Sequence, residues 1–173
     1  MSVLRQLRAV ALLPFMATVA IPGLIVFFFR AIHPGWELPT ALSFLPFLLA
    51  ALLICLGLIL FCWTVLLFAS AGRGTLAPWD PTQRLVVRGP YQHVRNPMIS
   101  GVLAILLGEA ALLGSIPLFC WFLLFFALNQ LYIPRFEEPG LEDRFGEEYH
   151  LYKQYVPRWI PRLTGWRSHE HGT

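Results

Sequence analysis

Long apolar runs without charge alternate along the chain with short segments that hold almost all of its ionisable residues. The first run, Val10 to Phe29, has about the ~20 residues a helix needs to cross the hydrocarbon core of a bilayer. Arg5 and Arg8 ahead of it, with the small residues Ala17 to Ala20 inside it, imitate a secretory leader. The run continues to Phe29, so an uncleaved anchor is expected, bent by Pro14, Pro22 and Gly23 where neighbouring helices satisfy the freed carbonyls. The second run, Ala41 to Ser70, carries no charge and is long for one crossing, so it should tilt or project past the bilayer. The third, Met98 to Ile133, is about twice one span and is divided by Gly114, Ser115 and Pro117, residues of turns and helix starts. A tight helical hairpin is predicted there, and with it four spans.

Composition agrees with this pattern. Of 173 residues 57% are hydrophobic and 13% charged, which excludes an ordinary soluble domain and leaves room for one bilayer-embedded domain over residues 1–173. Chemistry must then come from loops and helix ends. Cys55, Cys62 and Cys120 all fall inside apolar runs and read as small buried hydrophobes rather than as disulfide or metal ligands.

Twelve of the thirteen Lys and Arg residues fall on the side of the N-terminus if four spans are drawn, Arg30 being the exception. By the positive-inside rule both termini and both polar segments are expected to be cytoplasmic, in an inner or plasma membrane. Those segments, RGPYQHVRNPMISG from Arg88 to Gly101 and EEPGLEDRFGEEYHLYKQYVPRWIP from Glu137 to Pro161, then flank the hairpin at one end, close enough to build one pocket.

In the first segment Pro90 and Pro97 restrict the backbone, and Arg95 either snorkels to lipid phosphate or turns inward to a ligand. His93, Arg95 and Asn96 beside Pro97 form a polar cluster that anchoring alone does not need. In the second, Leu141, Phe145, Tyr149 and Tyr152 recur at helical spacing and predict an amphipathic helix at the membrane interface. Arg158 and Trp159 read as an interfacial anchor or as substrate contacts. Glu109, midway along an apolar run, is an ionisable group at membrane depth and hence a functional candidate. Gly72 and Gly74 lack the strand context and the third glycine of a dinucleotide or phosphate loop, and His169 and His171 sit in a short polar end. No metal site is expected.

Gly89, Pro90, Tyr91, Val94, Arg95, Pro97 and Gly101 together resemble the motif G-P-Y-x-x-V-R-H-P-x-Y-x-G of the isoprenylcysteine carboxyl methyltransferases and their relatives, the phospholipid methyltransferases. Glu137, Glu138, Leu141, Phe145, Gly146, Tyr149 and Tyr152 resemble that group's second motif, E-E-x-x-L-x-x-x-F-G-x-x-Y-x-x-Y. Asn96 stands where the motif has histidine and Ile99 where it has tyrosine; asparagine still hydrogen-bonds but cannot titrate.

The resemblance implies an all-α, polytopic membrane bundle with two N-terminal spans (1–70), a catalytic half (71–161) and a tail (162–173). It implies S-adenosylmethionine as cofactor, held by Gly89, Tyr91, His93, Arg95, Asn96, Pro97, Glu137 and Glu138, and a lipidic or lipidated substrate drawn from the membrane lipids, with no nucleic acid involved. Arg95, Glu138 and Arg158 are the candidate catalytic residues. An arginine would orient a carboxylate acceptor, and Glu138 would take the proton from an amine acceptor. A sterol-reductase-like enzyme holding NADPH and a non-catalytic scaffold are the competing readings.

Overall fold

Every regular element among the described residues, 12–71 and 85–166 of this computed structural model, is helical. Arg5, Arg8, Gly72, Gly74, His169 and His171 lie outside them. Three helices are long and apolar enough to cross a membrane. Helix α1 spans Leu12–Phe29, and α2 spans Phe44–Ala71, whose 28 residues reach about 42 Å and so overrun the ~30 Å hydrocarbon core. Helix α3, Pro97–Leu113, is the shorter fourth apolar helix at 17 residues, and α4 is Ile116–Tyr132. Beyond the bilayer follow α5, Glu138–Phe145, and α6, Glu147–Tyr155.

The hairpin forms where the sequence places it. Gly114 ends α3 at φ +57°, a left-handed conformation natural to glycine, and its N–H closes on the Ala110 carbonyl. The backbone of His33 packs on Gly114, so any Cβ there would collide with it. The His33 N–H donates to the Leu113 carbonyl at 2.9 Å and Trp36 Nε1 donates to Ala111 at 3.0 Å. The α1–α2 connection and the hairpin turn therefore share one face, and both polar segments lie at the other.

Helix α3 is the core of the bundle. A Cβ on Gly57 of α2 would come within 2.7 Å of the Gly101 carbonyl, and one on Gly101 within 2.9 Å of the Gly57 carbonyl. Backbones in such contact gain dispersion energy, the main attraction available between helices when lipid is as apolar as leucine. Val102 and Leu106 of α3 bury against Ala17 of α1, with Phe61, Trp121 and Phe125 around them. Trp121 Nε1 donates to the Ala17 carbonyl, left accessible by a π-helical turn over Met16–Ala20, so Pro14 and Pro22 are accommodated by local widening of the helix. The outer surface is apolar and exposed, as at Phe28, Leu56 and Leu128. Cys55, Cys62 and Cys120 belong to that outer surface, contrary to the expectation of burial: the close-packed seams are taken by glycine and alanine instead.

Two features of the tail differ from the sequence reading. Pro134 does not end the last span, because a π-helical turn over Ile133–Glu137 carries α4 directly into α5. The expected single amphipathic helix is two, broken at Gly146, whose φ of +52° and ψ of −127° lie outside the range of residues with a side chain.

Candidate functional site

The loop before α3 is ordered by its own turn. Pro90 opens a 3-10 turn over Gly89–Gln92, the His93 and Val94 N–H groups both return to the Pro90 carbonyl, and Asn96 starts α3 with Pro97 behind it. The stretch from Pro157 to Trp166, after α6, then lies along this loop. Arg95 N–H donates to Pro157, Arg162 N–H to His93 and Trp166 N–H to Gln92, at 2.9, 3.0 and 2.9 Å. The His93 Nδ1–H donates to the Arg162 carbonyl at 2.8 Å, which fixes the neutral ring's tautomer and leaves Nε2 as its acceptor. Trp166 is buried against Tyr149, Tyr152 and Val156. Packing thus continues five residues beyond Pro161, where the sequence alone suggested the ordered half would stop.

Glu138 is the centre of the site. Its side chain is 4% exposed, and its Oε1 accepts from Arg95 Nη1 at 3.0 Å and from Arg158 at 2.8 Å (Nη2) and 3.0 Å (Nε). Its Oε2 faces Lys153 Nζ at 3.2 Å, and Lys153 also pairs with Glu142 at 2.7 Å. One buried carboxylate therefore gathers cations from the loop, from α6 and from the segment after it. Such a group is tolerated at this depth only because each charge is paired. Arg95 resolves the choice left open by its sequence: at 11% exposure it turns inward instead of reaching to lipid phosphate.

Aromatic residues close the other side. The Tyr152 hydroxyl donates to the Tyr91 carbonyl at 2.7 Å, and Trp166 lies 5.7 Å from the Tyr152 ring and stacks on Tyr155. Burial pushes the Tyr149 phenol up to about 12 and raises Tyr152 and Tyr91 as well, with the Arg95 guanidinium partly opposing the rise at Tyr149 and Tyr152. These phenols are hydrogen-bond donors at neutral pH, not bases.

Of the residues singled out by sequence, Arg95, Glu138 and Arg158 meet directly, and Glu137 lies within electrostatic reach of Tyr91 and Glu138. Gly89 abuts Trp63 and Leu67 of α2. His93 is committed to the tail, and Asn96 and Pro97 form the root of α3. Lys153 and Trp166 were not foreseen as parts of the site. Their signal was Gly146: a helix stop there folds α6 back, placing Lys153 on Glu138 although a continuous helix would carry it past.

Two buried donors in the loop have no partner among the described residues, Nε of Arg95 and Nδ2 of Asn96. Unspent donors on adjacent residues are the complement of a carboxylate or phosphate. Residues 45–148, from the start of α2 into α6, match the phospholipid methyltransferase family. The chain belongs to that family. It is an integral membrane protein of a group that methylates lipid-like substrates, and no curated protein and no solved structure matches it. The family match ends at Glu148, so Lys153, Arg158 and Trp166 are contributed by chain beyond it.

Proposed function

We propose that this methyltransferase uses S-adenosylmethionine and methylates a lipid-like acceptor that reaches the Arg95–Glu138–Arg158 cluster from the bilayer. The observation that carries the reading is the convergence of both motif-bearing segments on one buried carboxylate at the open end of the hairpin. The residues present fit the cofactor. Unpartnered donors on Arg95 and Asn96 suit its carboxylate, Glu137 suits its ammonium, and the Tyr149, Tyr152 and Trp166 cluster supplies an aromatic wall. The cofactor would supply a sulfonium methyl whose C–S bond breaks as the acceptor's lone pair forms the new bond.

The chain's own contribution is alignment and exclusion of water, worth roughly 7 to 11 kcal/mol in favourable cases. Glu138 acts as a positioning residue, since three cations already occupy its two oxygens and hold Arg95 and Arg158 in fixed directions. A carboxylate acceptor needs no base, only an orienting cation, and Arg158 supplies one. An amine acceptor must lose a proton before transfer, and Glu138, with both oxygens engaged by cations, is not free to take it.

Methyl transfer from labelled S-adenosylmethionine, assayed with the full-length protein in lipid nanodiscs against lipid acids and lipid amines, tests the reading. Labelled lipid product that disappears in Arg158→Ala supports it. An absence of product across both acceptor classes, with the protein folded, overturns it.

A further inference from the structure

Glu109 takes no part in the cluster just described. It sits twelve residues beyond Pro97 on α3, about 18 Å along the helix axis toward the opposite face of the membrane. There it lines a groove of about 380 Å³ between α1 and the α3–α4 hairpin, within the roughly 300–1,000 Å³ range of small-molecule sites. Val19, Pro22, Val26, Leu113 and Leu118 form its walls. Glu109 is the one ionisable residue among those lining it.

Three observations separate this place from ordinary lipid-facing surface. Glu109 Oε2 is buried, and no donor among the described residues reaches it. The one hydroxyl among the lining residues, Thr18 Oγ1, is already spent on the Pro14 carbonyl at 2.8 Å. Helix α1 is widened into its π-helical turn over Met16–Ala20, where Thr18 and Val19 face the groove, and such turns recur at binding sites. A carboxyl oxygen held at membrane depth without a donor among the described residues is costly, and a donor from outside relieves that cost.

We infer that this groove is a second binding site, for a long-chain amphiphile whose primary ammonium head donates to Glu109 and whose alkyl chain fills the apolar walls. The unpartnered acceptor selects the head, since no donor of the lining is free to reach Glu109 Oε2 and an ammonium brings N–H groups. A quaternary ammonium of equal charge has no N–H to give and is discriminated against. The site does not depend on the methyl-transfer reading, because it shares no residue with it.

The test uses full-length protein in nanodiscs of phosphatidylcholine, whose head group carries no N–H, and a photoreactive octadecylamine as probe. Mass spectrometry locates the adducts. Labelling is expected to concentrate on α1 between Thr18 and Val26 and on Leu113, to be competed by octadecylamine but not by its trimethylated analogue, and to fall by at least about tenfold in Glu109→Leu. Gly23→Leu provides a second variant: Gly23 lines the groove and a Cβ there meets nothing within 4 Å, so the added side chain is expected to crowd the groove while Glu109 stays intact. It should lower labelling as well. Unfolding temperatures in detergent, unchanged in both variants, report that they fold. Labelling spread evenly over the lipid-facing surface, equal labelling with and without Glu109, or crosslinks showing a second copy of the chain seated in the groove would each overturn the inference.

Discussion

Arg95 and Glu138 are 43 residues apart in sequence, with two membrane helices between them, yet Arg95 Nη1 lies 3.0 Å from Glu138 Oε1. The pair joins the loop that enters α3 to the helix that leaves α4, so the hairpin is closed at its open end by a buried charge contact. Arg158 and Lys153 complete it.

Glu138→Gln removes the charge that three cations share. Because Glu138 is buried, the loss is expected to be that of a broken buried pair, about 3–5 kcal/mol of stability, together with most of the turnover. Thermal unfolding in detergent measures the first and methyl transfer the second. A variant with the stability and turnover of the parent would show that Glu138 organises nothing.

Gly101→Val places a side chain between α2 and α3 where the backbones already touch. Overpacking of this kind typically costs about 1–3 kcal/mol. The expected result is a lowered unfolding temperature with S-adenosylhomocysteine binding weakened in proportion, since the Arg95 loop is rooted on α3. An unchanged unfolding temperature would mean that the seam yields.

Trp166→Ala tests whether the stretch after α6 matters. The indole is buried on Tyr152, and truncation should cost about 3–5 kcal/mol locally, freeing Arg158 from Glu138. Faster hydrogen exchange at the Arg95, Arg162 and Trp166 amides is expected, with exchange in α3 unaltered. Equal protection in both proteins would remove the tail from the site.

These elements were unequally legible in the sequence. The spans, the Gly114 turn and the meeting of the two polar segments at one end of the hairpin follow from hydropathy and from two motifs. The break at Gly146 was hidden because Leu141, Phe145, Tyr149 and Tyr152 keep helical spacing across it, and periodicity cannot register a change of direction. The apolar run stops at Ile133, but a π-helical turn there carries the helix on past Pro134. The docking of Arg162 to Trp166 rests on main-chain hydrogen bonds, which leave no mark on residue type.

Alkaline pH should loosen the loop–tail unit. The folded-state Tyr149 phenol titrates at about 12, above the ~10 of an unfolded tyrosine, and burial raises Tyr152 and Tyr91 in the same direction. The hydrogen bond to Glu142 raises Lys153 also. Groups raised in this sense give stability that is complete below about pH 10 and is lost as pH climbs toward their folded values, because the unfolded chain releases its protons first. The unfolding temperature is expected to hold up to about pH 10 and then fall, less steeply in Tyr149→Phe. A flat profile between about pH 10 and 12 would contradict the burial of these phenols.

Calorimetric titration of S-adenosylhomocysteine into the detergent-purified protein, with NADPH in parallel and Arg95→Ala as the comparison, tests the central claim most directly. The account predicts binding of S-adenosylhomocysteine, none of NADPH, and a loss of at least about tenfold in the variant, about 1.4 kcal/mol. Binding of NADPH alone, or of neither, would contradict it.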